Sequence, residues 1–447
     1  MTIYDPALQA DDLAAFVSAS PSSFHAVAAV AARLDAAGFV RLDERDNWDP
    51  AVRCGYVVRD GSVVAWVRPA GEPEPTTPFR IIGAHTDSPG LVLKPRPTTR
   101  SEGWLQAAVE VYGGPVLASW FDRELEAAGR VVTRDGVEHL VRTGPFLRVP
   151  HLAIHLDRSA NESHTIDRQR HLQPVFGVVC DGEAHEQDLL AHLAHLAGVD
   201  AAEVVGHDVT TVAAEPPARF GAGGALLASA RLDNLLSVHA GLTALLAAAR
   251  AVPLEHADVS PSDAPLPGAV PHTSVLAAFD HEEIGSASRT GAEGPVLADV
   301  LTRLSGGTLT ELARAYAASW CVSSDVGHAV HPNHAERHDP SHHPVAGGGP
   351  LLKVNANQRY ASDAHGAALW AAACEAAGTQ SQPFVSHNGV PCGSTIGPAT
   401  ASRLGIRTVD VGAPILSMHS ARELAHIGDV AALAGALTAF LAGVGGA

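Results

Sequence analysis

The chain has 447 residues, of which 46% are hydrophobic and 17% charged, with a formal net charge of −18. That length exceeds what one core usually fills, so two domains are expected, with insertion of one into the other as an open arrangement. The acidic balance excludes nucleic acid and anionic membrane as main partners, and five scattered cysteines with no CxxC spacing exclude a disulfide framework or a thiolate zinc site.

Met1–Ala10 carries Asp5 and no basic region before an apolar one, so no leader is expected and the protein is expected in the cytoplasm. Asp11–Ser18 and Ser22–Ala36 read as helices, the second capped by the serines around Pro21 and stopped near Gly38. Strands are expected at Gly55–Arg59 and Ser62–Arg68, followed by a polar loop at Gly71–Pro78. The apolar run Phe79–Ala84 then delivers His85-Thr86-Asp87-Ser88-Pro89. From about Leu91 to Ser229 short β-like segments dominate, namely Gln106–Val111, Gly129–Thr133, Val137–Val141 and Pro174–Val179, with one helix at Glu186–Ala197. Residues 93–229 are therefore expected as a β-rich insert between an α/β region of residues 1–92 and its continuation at 230–447.

A helix at Leu232–Ala251 carries Asp233 in its first turn, and its Ala/Leu-rich stretch Leu235–Ala251 reads as amphipathic or too short to span a bilayer. Ala251–His272 reads as an exposed Pro/Asp/Ser-rich loop. The strand Thr273–Phe279 leads to Asp280 and then to His281-Glu282-Glu283-Ile284-Gly285-Ser286. Helices follow at Val296–Leu304 and Leu309–Tyr316, then a strand Ser319–Ser324 ending at Asp325. His331–Gly349, with five of the 25 histidines, reads as a solvated loop. Ser362–Ala376 is expected as a helix, Phe384–Ser386 as extended, Ile406–Val411 as a strand, Gly412–Ser420 as a loop holding His419, and Val430–Val444 as a closing helix.

Four apolar runs thus end beside ligand-type side chains: His85, Glu282 with Glu283, Asp325, and His419 a few residues on. In an open α/β sheet functional groups gather outside the carboxyl ends of the strands. Two His, two Asp and a Glu make a donor set suited to zinc or manganese, with cobalt a further possibility. A pair of divalent ions roughly 3.5–4 Å apart needs a bridging carboxylate. Asp233 suits that role, with His85 and Asp325 on one ion and Glu283 and His419 on the other. Glu282 is left as the proton-transfer group, and Asp87 is placed to accept the second N–H of His85.

Several segments together resemble the aspartyl aminopeptidase family of dinuclear metallopeptidases. They are His-Thr-Asp-Ser-Pro at 85–89, Arg-Leu-Asp-Asn at 231–234, His-Glu-Glu-Ile-Gly-Ser at 281–286, Asp-Val-Gly-His-Ala-Val-His-Pro-Asn at 325–333 and Met-His-Ser at 418–420. Arg148–His155 and Lys353–Tyr360 match as well. The resemblance implies a mixed-sheet α/β catalytic domain with an inserted β-rich dimerisation domain, two bound zinc ions, and removal of N-terminal Asp or Glu from peptides. It also implies a tetrahedral homododecamer in which His151, or His155 in its place, reaches a neighbour's active site. His328 would contact substrate and Lys353 would meet its acidic side chain. The rival readings are a dizinc aminopeptidase of neutral specificity, an N-acyl amino acid deacylase, and a peptide-binding or shell-forming protein without catalysis.

Overall fold

The apolar runs that end at His85, Phe279, Ser324 and Gly412 form the middle of a nine-stranded sheet. Its order is Val40–Arg41, Cys54–Arg59, Ser62–Val67, Thr273–Phe279, Phe79–His85, Trp320–Ser324, Arg407–Gly412, Leu351–Lys353 and Gln382–Phe384. The computed structural model describes residues 4–71, 74–163, 165–181, 184–251 and 272–445. The loop expected at 251–272 falls, apart from its two end residues, outside the described residues.

The four central strands run parallel, with Phe279 opposite His85 and Ser324 opposite Val411, so their carboxyl ends open along one edge. Both faces of these strands are covered, which is why they read as continuous apolar runs. Alternation along Thr273–Phe279 divides the packing. Leu276 and Ala278 join the helices Pro6–Ser18, Ser23–Ala36, Leu232–Ala251, Ala364–Ala376 and Ile427–Leu441 on one face. Val275, Ala277 and Phe279 join Val296–Ser305, Leu309–Ala317 and Ile396–Leu404 on the other. The expected mixed-sheet α/β architecture is present, and Ser62–Val67 and Leu351–Lys353 supply its antiparallel pairings.

A second sheet of seven strands spans Gly90–Ala213 and has its own apolar cluster around Leu91, Trp120, Leu125, Val131 and Val209. Glu138–Arg142, Leu147–Arg148 and Val175–Val178 are short, as expected, but the other four strands are long. Gly90–Ser101 has 12 residues, and Glu124–Thr133 and Val204–Ala213 have 10 each and pair along their length. Pro95 and Pro97 hid the first of these in the sequence. They lie where the pairing with Trp104–Tyr112 slips between Leu93 and Thr98, so the missing N–H groups interrupt no regular ladder. A five-stranded sheet joins Ala218–Phe220 and Leu226–Ser229 to Glu423–His426, Pro414–Leu416 and Gly327–His328.

Other boundaries also move. The first helix begins at Pro6, because Asp5 caps it by accepting from Ala7 and Leu8 N–H. The last runs Ile427–Leu441, capped by the His426 side chain. The helix expected over Glu186–Ala197 is broken at Asp188, which ends the turn Ala184–Gln187 and caps Leu189–Ala197. The segment expected at Phe384–Ser386 is the strand Gln382–Phe384, and the helix Ile396–Leu404 was not expected. The helix Leu232–Ala251 has 20 residues, three more than the Ala/Leu-rich stretch from Leu235. By length and composition it matches a membrane span, but 72% of its apolar window is buried inside the protein as a core helix.

A candidate dinuclear metal centre

Around the carboxyl edge of the central strands, four segments of the chain bring ligand-type side chains together. His85 is the last residue of its strand and is 1% exposed. Beyond Phe279, His281 turns into the left-handed region and Glu282–Ile284 forms a single 3-10 turn. This turn, not the strand end itself, lets Glu282 and Glu283 face the same cluster. Asp325 follows Trp320–Ser324 directly. His419 sits at φ 65 in the loop between Pro414–Leu416 and Glu423–His426.

Asp233 comes from the start of the buried core helix. It is not the helical first-turn acid expected from the sequence. Asp233 and Asn234 depart from helical geometry, with φ/ψ of −81/101 and −125/26, joined by a cis peptide bond. The departure turns the carboxylate of Asp233 into the cluster, and Asn234 Nδ2 donates to Ser324 O at 2.9 Å.

The two oxygens of Asp233 face different histidines. Oδ1 lies 3.2 Å from His85 Nε2 and Oδ2 lies 3.3 Å from His419 Nε2. Asp325 Oδ1 is 3.6 Å from His85 Nε2, and Glu283 Oε2 is 3.3 Å from His419 Nε2. Two triads able to hold an ion result, His85–Asp233–Asp325 and Asp233–Glu283–His419, sharing Asp233. His85 also groups with Glu282 and Glu283, and Glu282 Oε2 is 4.0 Å from its Nε2.

Both imidazoles are held in the orientation that metal binding requires. His85 Nδ1 lies 3.1 Å from the backbone oxygen of Asp87, and His419 Nδ1 lies 3.1 Å from that of Gly114. A carbonyl only accepts, so Nδ1 carries the proton and Nε2 is free to coordinate. His85 Nδ1 also stands 3.4 Å from Asp87 Oδ1, the partner expected from the sequence, and the same carboxylate accepts from the N–H groups of Glu282 and Glu283, both at 3.1 Å.

The residues fit a pair of cations. Asp233 Oδ1 and Glu283 Oε1 are buried without a hydrogen-bond partner, which an ion in each triad would satisfy. Burial pushes the Glu282 carboxyl up to about 8, with Asp325 and Asp233 adding to the rise against the opposing pull of His85. Burial and the Asp233 charge push Glu283 well above the carboxylate range. Burial alone would lower His419, but Asp233 raises it to about 9. Cations in the cluster would reverse these shifts by offsetting its excess of negative charge.

The cluster forms the floor of a cleft of about 610 Å³ lined also by His328, Lys353, Tyr360 and Thr395. Lys353 is 2% exposed, donates to Val326 O at 2.8 Å and approaches Asp325 Oδ2 at 3.7 Å. His151 does not line this cleft. It stands on an exposed segment after Leu147–Arg148, with Nδ1 2.7 Å from Asp122 Oδ2 and its ring against Phe121. Two residues at the centre gave no sequence signal beyond their type, Tyr112 and Glu423. Glu423, 2% exposed, accepts from the backbone N–H of Asp233 and of His419.

A family model described as aminopeptidase I zinc metalloprotease (M18) matches residues 16–441. The chain belongs to that family. It is the aspartyl aminopeptidase family to which the motifs pointed, and the M18 chain is a metallo-aminopeptidase. It is 55% identical over 438 residues to a probable M18 family aminopeptidase 2 of Streptomyces avermitilis, covering 97% of each chain. Among solved structures, the M18 chain is similar to Ape4 in its complex with Nbr1, at 34% identity and a TM-score of 0.89, covering 99% of this chain and 88% of that one. It is also similar to the Saccharomyces cerevisiae mApe1 dodecamer, at 28% identity and a TM-score of 0.80, covering 96% and 95%.

Proposed function

We propose that this M18 metallo-aminopeptidase removes N-terminal Asp or Glu from peptides, with two divalent ions, zinc in both positions, held by His85, Asp233, Glu283, Asp325 and His419. His85 and Asp325 would hold one ion and Glu283 and His419 the other, with Asp233 common to both triads. When bound, the ions polarise the scissile carbonyl and lower the pKa of water at the site. Glu282 takes the proton of that water as its oxygen adds to the carbonyl carbon. The same carboxyl then gives the proton to the amine nitrogen as the C–N bond breaks.

One observation carries the acidic specificity. Lys353 is the only lysine or arginine among the described residues lining the cleft. A buried ammonium rewards a carboxylate and leaves a neutral side chain with a charge it cannot pair. His328, on the same cleft, contacts substrate in this reading. Residues 93–229 form the insert that pairs subunits, and His151 of one subunit completes the site of its neighbour in a tetrahedral dodecamer; the similarity to the yeast dodecamer supports a homo-oligomer. The protein acts in the cytoplasm.

The test is metal analysis of the purified protein together with hydrolysis of N-terminal Asp, Glu and Leu amides. About two zinc ions per chain and cleavage of the acidic amides alone are expected. Equal or faster cleavage of the Leu amide would return the neutral aminopeptidase reading, and cleavage of N-acyl amino acids alone would return the deacylase.

A further inference from the structure

Besides the link His85–Gly90, the seven-stranded sheet reaches the metal cluster through a short segment, Tyr112–Val116, which leaves the strand Trp104–Tyr112. Tyr112 donates its hydroxyl to Asp87 Oδ2 at 2.7 Å. The same carboxylate receives the N–H of Glu282 on Oδ1 and of Glu283 on Oδ2. Gly113 lies at φ +68, where an added Cβ would meet Glu283 Cβ at 3.2 Å, so the backbone passes directly against that side chain. Gly114 offers its carbonyl to His419 Nδ1, and Val116 N donates to His419 O at 2.8 Å. A single stretch of chain therefore braces both the Glu282–Glu283 turn and the His419 loop.

We infer that Tyr112 is a positioning residue for the peptidase reaction: its hydroxyl fixes the Asp87 carboxylate, which in turn sets the Glu282–Glu283 turn against the metal cluster. This rests on the metallopeptidase reading given above. A carboxylate with three donors in fixed places has little freedom, so each backbone N–H it accepts is held in register. Removing the hydroxyl leaves Asp87 with the two N–H groups, the His85 ring nitrogen and a free lone pair, and the turn gains room to shift. Burial and the Asp87 charge raise the Tyr112 phenol far above its ordinary range, so it stays a donor at every working pH. Groups at this distance from a metal centre typically carry 10–100-fold in affinity or activity.

The test compares metal-loaded wild type with Tyr112→Phe, Asp87→Asn and the double variant. The substrate is whichever N-terminal amide the wild type cleaves fastest, so a failure of acidic specificity does not touch this result. For Tyr112→Phe, kcat is expected to fall about tenfold with KM near wild type, and cation affinity in chelator competition to weaken by a similar factor. In the Asp87→Asn background the same substitution is expected to change kcat by less than about twofold, since the route through Asp87 is already broken. A merely structural role would produce equal losses in both backgrounds, and that outcome overturns the inference. Unchanged kcat and cation affinity in Tyr112→Phe overturn it too. Chelator competition uses no substrate, so a wild type that binds no cation marks failure of the parent reading instead.

Discussion

Glu423 holds Asp233 by its backbone: one carboxylate oxygen accepts the Asp233 N–H at 2.9 Å, while the other accepts that of His419 at 2.8 Å. The strand Glu423–His426 thereby fixes two members of the shared triad at once, one only 4 residues from Glu423 and the other 190 away. Truncation by Glu423→Ala leaves two buried N–H groups unpaired, at about 1–3 kcal/mol each. A fall in stability of about 2–5 kcal/mol and weaker cation binding are expected, read by denaturant titration and chelator competition. Glu423→Gln keeps one acceptor oxygen and is expected to fall between Ala and wild type.

Adjacent carboxylates at 282 and 283 are expected to separate cleanly on mutation. Glu282→Gln leaves the two triads His85–Asp233–Asp325 and Asp233–Glu283–His419 intact. Metal content should therefore match wild type while kcat falls by about 10²–10⁴, the usual contribution of a positioned acid or base. Glu283→Gln removes an anionic donor from the second triad, and metal content itself should drop. Metal analysis beside kcat measures both. Retained activity in Glu282→Gln would exclude it as the proton carrier.

What the sequence disclosed and what it hid follow a physical line. The central strands were visible because burial on both faces leaves unbroken apolar runs, and their carboxyl ends placed His85, Asp325 and the Glu pair. The exact posture of Asp233 was not visible, because it depends on a departure from helical geometry at residues 233 and 234 that Leu-Asp-Asn does not announce. Tyr112 and Glu423 act across separations of 25 and 190 residues, to Asp87 and Asp233 respectively, and no local pattern encodes such a contact. Likewise Pro95 and Pro97 signalled a break, yet the strand accommodates both in an irregular stretch of pairing.

Lys353 lies over the Tyr360 ring at 5.5 Å and is anchored by Val326 O, so its position owes nothing to substrate. Lys353→Met preserves much of the stem and removes the charge. For an N-terminal Glu amide, kcat/KM is expected to fall by about 10²-fold or more, because the substrate carboxylate then enters a buried site unpaired. The Leu amide should be cleaved no worse than by wild type. Steady-state kinetics on both amides give the ratio, and an unchanged ratio would remove Lys353 as the specificity group.

His272 points to a specific pH dependence of stability. It is 5% exposed, its Nε2 lies 2.9 Å from Leu441 O, and burial, aided by the Arg80 charge, lowers its pKa to about 3. The carbonyl accepts a hydrogen bond from Nε2–H, and burial keeps the ring neutral in the folded state. An unfolded histidine titrates near 6.5, so between about 6.5 and 3 the unfolded chain binds a proton that the folded chain refuses. Stability is therefore full above about pH 6.5 and declines as pH falls, by at most about 1.4 kcal/mol per pH unit from this group. His272→Gln supplies an amide donor for Leu441 O without a titrating ring. Its Tm should fall less steeply than wild type between pH 6.5 and 5, where most carboxylates are still ionised. Parallel Tm curves for the two proteins would show that His272 contributes nothing to the acid limb.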